Sequence, residues 1–476
     1  MPERPNILFI LSDDHGHWGM GCAGNSEIRT PNLDKLAARG TRFDSAFCAS
    51  PVCSPARMSI FTGKIPSQHG VHDWLAKGHL DEAVLSKELR DAFQQPEPSW
   101  EYAWPKRQLQ GDKAIRFLDG HDTFTRHLAD GGYTCGLSGK WHMGDSYTPQ
   151  AGFTYWKTTA MGGENYYYPV MLEGEEMTLK RGVYITDLIT DNALRFLEEQ
   201  KGAANPFYLS VHYTAPHAPW QREHHPAAFY DLYDGCPFAS VPDVPPHPWS
   251  DLKDKTPEEM AVLRRTYLQG YFAAVTAMDA GIGRILDALE AAGQLSNTLV
   301  ISGDNGMSMG HHGIFGKGNG TFPMNMYDSA VKVPLIWSHP GRAREGAVCE
   351  ELVSHYDLFP TILEWAGPPC TPNPALPGVS FAPLLTGEKS SVRDDVVVFD
   401  EYGPVRMVRT KEWKYIHRYP YGPHELYDLV RDPGEERNLI DDPAAQSVKE
   451  RLIDRLNHWY AAYADPACDG KGEAVH

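Results

Sequence analysis

Residues 6–12 read Asn-Ile-Leu-Phe-Ile-Leu-Ser. Such an unbroken apolar run predicts a parallel strand covered on both faces. It stops at Asp13 and Asp14. A buried strand that ends in two carboxylates requires a cation or donors to meet them, because unpaired buried charge is costly. The same grammar recurs down the chain. Residues 133–137 predict a short strand that ends in Ser-Gly-Lys140-Trp-His142. Ile185, Leu188, Ile189, Ala193, Phe196 and Leu197 mark one face of a helix closed by Gly202, and a strand at 207–211 then leads to His217. Residues 257–294 predict a long helix, weakened by Gly281 and Gly283, before a strand at 298–302 that ends in Gly303-Asp304-Asn305-Gly306. Thr30-Pro31 opens a helix that stops at Gly40, 122–129 predicts another, and a strand at 333–337 with a helix at 356–365 completes the unit. Strands alternating with helices predict an α/β fold, a large mixed but mostly parallel sheet flanked by helices.

Pro368, Pro369, Pro372, Pro374 and Pro377 mark a linker, after which the pattern changes. Short strands are expected at 396–399, 405–408, 413–417 and 425–429, and a helix at 444–463. The expected division is a domain of residues 1–376 and a small C-terminal α+β domain of 377–476 with an antiparallel sheet. Two stretches lack periodicity, 76–120 with Trp100 and Trp104, and 220–257, rich in proline, histidine and aromatics. Long loops in compact domains are more often functional than idle, so both are expected to shape a pocket.

The chain has 476 residues, enough for a sizeable core without staples, and a net charge of −18 from 44 Lys and Arg against 62 Asp and Glu. That balance argues against a nucleic-acid partner, since phosphate neutralisation needs excess cations. The eight cysteines, at 22, 48, 53, 135, 236, 349, 370 and 468, form no close pairs. Neither a disulfide framework nor a Cys-x-x-Cys metal site is expected, and reduced thiols with no leader or membrane-length apolar run point to a cytoplasmic protein.

In open α/β sheets, ligands bind outside the carboxyl ends of the strands. Four predicted strands end in Asp13/Asp14, Lys140/His142, His217 and Asp304/Asn305. Asp13, Asp14, Asp304 and Asn305 form an all-oxygen set that suits a hard cation, Ca²⁺ or Mg²⁺, and not zinc. Near them in function stands the stretch Ser-Pro-Val-Cys53-Ser-Pro-Ala-Arg57, where Pro51 and Pro55 restrict the backbone on both sides of the cysteine. Residues 57–62 lack breakers before Gly63, so Cys53 is expected near a helix N-terminus, which favours an anion. His69 lies close in sequence and is a further candidate for the site.

Cys-x-Pro-x-Arg followed by Thr-Gly resembles the signature of the type I sulfatases, members of the alkaline phosphatase superfamily. Thr-Pro-Asn-Leu-Asp at 30–34, Gly-Lys-Trp-His at 139–142, Pro-His-x-Pro at 216–219, Gly-Asp-Asn-Gly at 303–306 and Gly-Lys at 316–317 are similar to the family's landmarks, in its order. Dizinc members of the superfamily usually show Asp-His where this chain reads Asp304-Asn305. The resemblance implies an alkaline phosphatase-like fold and hydrolysis of a sulfate monoester at the S–O bond. It implies that Cys53 is converted to Cα-formylglycine by a maturation enzyme, and that Asp13, Asp14, Asp304, Asn305 and residue 53 hold one metal ion. In the implied cycle, one hydroxyl of the hydrated aldehyde attacks sulfur and the other loses its proton to expel sulfate. Arg57 would hold the diol, Lys140 and Lys317 the sulfate, while His142 takes the proton that triggers collapse and His217 protonates the leaving alcohol.

The expected substrate is a small sulfated carbohydrate or an aryl sulfate. Two other readings stand beside it: a phosphonate monoester or phosphodiester hydrolase of the same superfamily, and a non-catalytic relative that binds sulfated sugars. The family includes many dimers and higher assemblies, so a homo-oligomer is also among the expectations.

Overall fold

The computed structural model describes residues 4–94, 113–174, 176–296, 298–367, 373–400 and 404–468. Trp100, Trp104, Pro368, Pro369 and Pro372 lie outside the described residues. At the centre of a ten-stranded sheet runs Ile7–Ser12, every residue of it buried. It is flanked in parallel by Phe207–His212 and Thr298–Gly303, with Ile7 opposite both Tyr208 and Thr298. Thr134–Gly139 and Phe153–Thr159 extend the parallel set beyond Phe207–His212. Val170–Glu173 and Glu176–Leu179 finish that side antiparallel. On the other side, Leu335–Ser338 runs antiparallel to its neighbours, followed by Thr41–Phe43 and Ala347–Cys349. Four neighbouring parallel strands therefore end on one edge, in the order Thr298–Gly303, Ile7–Ser12, Phe207–His212, Thr134–Gly139.

The central run is apolar throughout because alternate residues serve two cores. Leu8 and Ile10 join Leu33, Leu36, Ile189, Phe196, Met278 and Ile282 from helices Pro31–Ala38, Ile185–Glu199 and Pro257–Ala291. Ile7, Phe9 and Leu11 join Met58, Phe61, Phe124, Leu128, Leu358 and Ile362 from helices Cys53–Thr62, Phe124–Asp130 and Leu358–Ala366.

The long helix expected over 257–294 runs unbroken from Pro257 to Ala291, through Gly281 and Gly283. It starts with a reciprocal cap between Thr256 and Glu259. A Cβ on Gly281 would come 2.5 Å from Thr190 Oγ1, and one on Gly283 2.6 Å from Asn32 Nδ2, so these glycines allow two neighbouring helices to close in.

Strands Val396–Asp400, Val405–Arg409, Trp413–Arg418 and Glu425–Asp428 form the expected antiparallel sheet in sequence order. Helix Gln446–Tyr463 covers one face through Leu452, Leu456 and Tyr460. The other face, with Val398, Met407 and Ile416, is continuous with the core that holds Phe9 and Phe61. Phe381, Leu384 and Leu385 belong to that same core. Seven cysteines among the described residues are free thiols, and no helix among them is long and apolar enough to cross a membrane.

Candidate active site

Cys53 is the first residue of helix Cys53–Thr62, all of which is buried. Val52 is extended at φ −144°, Pro55 sits in the first turn where its missing N–H costs no helical bond, and Gly63 ends the helix at φ 66°. Arg57 follows one turn on, on the face of Cys53. Its Nε and Nη2 are both 3.0 Å from Asp304 Oδ2, and its Nη1 donates to the Lys140 carbonyl at 3.0 Å. One guanidinium thus ties two strand ends to the cysteine helix.

Asp13 and Asp14 leave the central strand, Asp14 at φ 59°, with its carbonyl accepting from Tyr271 Oη at 3.0 Å. Asp304 Oδ1 accepts from the backbone N–H groups of Asp14 at 3.1 Å and Asn305 at 2.8 Å. Asn305 Nδ2 donates to Asp14 Oδ1 at 2.9 Å. The thiol lies 3.3 Å from Asp13 Oδ1 and 3.9 Å from Asp14 Oδ1. Lys140 pairs with Asp13 Oδ2, and Lys317 Nζ lies 2.6 Å from Asp14 Oδ1 and 2.8 Å from Cys53 Sγ. His217 Nε2 is 3.5 Å from Asp14 Oδ2, while its Nδ1 is 2.8 Å from the Ala218 carbonyl.

Nine residues singled out in the sequence thus meet at one place: Asp13, Asp14, Cys53, Arg57, Lys140, His217, Asp304, Asn305 and Lys317. His142 stands apart in its bonding. It is buried at φ 56°, with Nε2 3.1 Å from the Leu75 carbonyl and Nδ1 without a hydrogen-bond partner. His69 bonds Ser59 Oγ at 3.2 Å, further along the cysteine helix. Tyr271, which fixes the Asp14 turn, and Tyr166, whose hydroxyl donates to the His217 carbonyl at 2.8 Å, were not foreseen. Both act on backbone atoms, and residue type carries no signal of that.

Burial is the largest influence on most titrating groups here. It pushes the Cys53 thiol far up, reinforced by the Asp13 carboxylate and opposed by Lys140 and Lys317. Burial and the Asp13 charge raise Asp304 to about 6, against the pull of Arg57. For Asp14, burial is overcome by Lys317 and His217, which hold its carboxyl far below the usual range. Burial lowers His217 to about 4, with Asp14 opposing.

Ligand atoms of Asp13, Asp14, Cys53 and Asp304 lie within 4.8 Å of one another. Asn305 Oδ1 is buried with no hydrogen-bond partner, an oxygen that a cation would satisfy. This oxygen-rich donor set fits a hard divalent ion. Three carboxylates face three cations, Arg57, Lys140 and Lys317, so a divalent ion would leave the site positive, as an anionic ester requires.

The family model described as Sulfatase matches residues 5–368. The chain belongs to the sulfatase family. It is a sulfuric ester hydrolase of the alkaline phosphatase superfamily, and residues 310–462 match a second model, N-sulphoglucosamine sulphohydrolase, C-terminal. This sulfatase is similar to the N-acetylglucosamine-6-O-sulfatase of Bacteroides thetaiotaomicron, 27% identical over 98% of this chain and 88% of that protein. It is also similar to the choline-sulfatase of Rhizobium meliloti, 25% identical over 96% of this chain and 87% of that one. A solved structure, of a protein in complex with its substrate D-glucosamine-2-N,6-O-disulfate, matches with a TM-score of 0.77 at 25% identity, covering 99% of this chain and all of the other.

Proposed function

We propose that this sulfatase removes sulfate from a small sulfated carbohydrate, with residue 53 acting as a formylglycine hydrate beside one Ca²⁺ or Mg²⁺. The observation that carries the reading is that Cys53 shares one cluster, 4.8 Å across, with Asp13, Asp14 and Asp304. A thiol there is a poor nucleophile, because burial opposes the thiolate. The names of the amino-sugar sulfatase and of the disulfated glucosamine complex support the carbohydrate.

Sulfate ester hydrolysis needs its barrier lowered by roughly 15–23 kcal/mol, and preorganised charge is the main source available to a protein. The cation, held by Asp13, Asp14, Asp304, Asn305 and residue 53, would supply Lewis acidity toward a sulfate oxygen. As an aldehyde hydrate, residue 53 would offer one hydroxyl to attack sulfur and another whose proton leaves as sulfate is expelled.

The remaining roles follow from which atoms are free. Lys140 and Lys317 reach Asp13, Asp14 and residue 53 through single nitrogens with further N–H groups to spare for sulfate oxygens. His217 donates to the Ala218 carbonyl through Nδ1, so in the imidazolium form, which the Asp14 carboxylate favours against burial, Nε2 would carry the proton for the leaving alcohol. His142 donates to the Leu75 carbonyl through Nε2, which leaves Nδ1 to accept the diol proton. Arg57 orients the residue-53 end of the cluster through Asp304.

The test is intact-mass analysis of the peptide around Cys53 from the native host, together with turnover of aryl sulfate and phenyl phosphonate. Conversion to formylglycine lowers the mass by about 18 Da. An unmodified thiol in active native enzyme would sink the mechanism. A preference for the phosphonate by orders of magnitude in kcat/KM would sink the substrate class.

A further inference from the structure

Lys317 sits on a weak support for a residue with so exact a placement. Residues 316–321 carry glycine at 316, 318 and 320, and glycine-rich backbone loses the most freedom when it is fixed. Yet the Lys317 ammonium is held 2.6 Å from Asp14 Oδ1 and 2.8 Å from Cys53 Sγ.

The hold comes from a short stretch downstream. Asn325 Nδ2 donates to the carbonyls of Lys317 and Gly318, both at 3.0 Å, and lies 3.3 Å from Thr321 Oγ1. Its backbone N–H adds a second bond to the Gly318 carbonyl at 3.0 Å. Gly318 in turn lies against Pro51, where a Cβ would come 2.4 Å from the proline Cγ, so the turn is seated on the segment that delivers Cys53.

The residues on either side of Asn325 are gripped from the C-terminal sheet. Arg418 donates to the Met324 carbonyl from Nε at 3.0 Å and Nη2 at 2.9 Å. Lys414 donates to the Met326 carbonyl at 3.0 Å. The two cations are four residues apart on one strand and so share a face. Both are buried, which is tolerable because Glu425 pairs with Arg418 at 2.9 Å, and Asp328 and Glu435 pair with Lys414.

We propose that Asn325, gripped on both sides by Arg418 and Lys414, is the positioning residue for Lys317, and that this is how the C-terminal sheet serves the reaction. The inference rests on the reading that Lys317 binds the sulfate.

The test is a double-mutant cycle in the full-length, metal-loaded enzyme with an aryl sulfate, using Asn325→Ala, Lys317→Ala and the double variant. Misplacing a binding group by about 1 Å costs up to a hundredfold, so Asn325→Ala should lower kcat/KM by roughly tenfold to a hundredfold, with little further loss in the Lys317→Ala background. Asn325→Asp, alike in shape but without the N–H donors, should be as impaired as the alanine variant. Equal losses in both backgrounds, or a near-normal aspartate variant, would overturn the proposal while the Lys317 reading stands. Full turnover by Lys317→Ala alone would overturn both. If Asn325→Ala does not fold, the same cycle with Arg418→Lys decides. That variant keeps the charge beside Glu425 but not the paired bonds to Met324, and the same non-additivity is expected.

Discussion

At residue 53 the surroundings oppose the chemistry of the side chain that the gene encodes. The thiol is buried among Asp13, Asp14 and Asp304, where a thiolate is disfavoured, while an oxygen ligand would suit the same neighbours. Cys53→Ser changes little volume, so its urea midpoint should match that of the parent, and turnover of an aryl sulfate should fall to background. Parent-like turnover would remove residue 53 from the reaction. Asp304 makes a second case. Burial and Asp13 raise it to about 6, and a cation needs it ionised, so binding must release its proton. Cation affinity should therefore climb through pH 5 to 7, with proton release that shrinks above pH 6. Calorimetry of Ca²⁺ or Mg²⁺ binding in buffers of different ionisation enthalpy checks this, and a flat affinity profile would refute it. The residues that meet here were legible in the sequence because each is a polar group at the end of an apolar run or inside a spaced motif. Asn325, Tyr271 and Leu75 were not, since an amide and a phenol that grip backbone, and a backbone carbonyl that holds a histidine ring, look like any others.

Among the elements, what could be read depended on burial. Ile7–Ser12 and Phe207–His212 show as short apolar runs because both faces are covered, and Thr298–Gly303, parallel to Ile7–Ser12, has the same kind of sequence. Phe153–Thr159 reads Phe-Thr-Tyr-Trp-Lys-Thr-Thr with mixed burial, so neither continuity nor alternation betrays it, and Thr41–Phe43 and Ala347–Cys349 are too short to show a period. The long helix Pro257–Ala291 shows the opposite limit. Its glycines look like flaws until the neighbours are in place. Gly270 is the extreme, since a Cβ there would lie 1.8 Å from the Trp220 carbonyl oxygen. Trp220 is bonded through its indole to the Pro216 carbonyl at 2.8 Å, next to His217. Gly270→Ala, favourable for an isolated helix, should here cost about 1–3 kcal/mol and lower kcat as the Pro216–His217 turn is displaced. Urea denaturation and steady-state kinetics test it, and a stabilised variant with normal kcat would show that the helix and that turn are independent.

Across the whole molecule, one apolar core runs from the large sheet into the C-terminal sheet, so local charge penalties are felt as global stability. Two kinds of buried neutral group impose penalties of opposite sign. His225 donates through Nε2 to the Pro219 carbonyl at 3.0 Å, and its Nδ1 lies 3.4 Å from Tyr184 Oη. Burial lowers it to about 3, so between that value and 6.5 the unfolded chain binds more protons and stability is lost as pH falls. By pH 5 the loss is about 2 kcal/mol. Glu164 is buried and receives the backbone N–H groups of Met161 at 2.9 Å and Val170 at 3.1 Å. Burial raises it to about 8 from 4.5, so the native state binds the extra proton in that window and stability is lost as pH rises, by about 2 kcal/mol between pH 6.5 and 8. Glutamine is neutral at every pH and keeps a donor for the Pro219 carbonyl or an acceptor for the amides. Relative to the parent, His225→Gln should therefore gain stability as pH drops from 6.5 to 5, and Glu164→Gln as pH rises from 6.5 to 8. Urea midpoints of the three proteins at pH 5, 6.5 and 8 decide it, and parallel profiles would mean that neither group is held neutral by the fold.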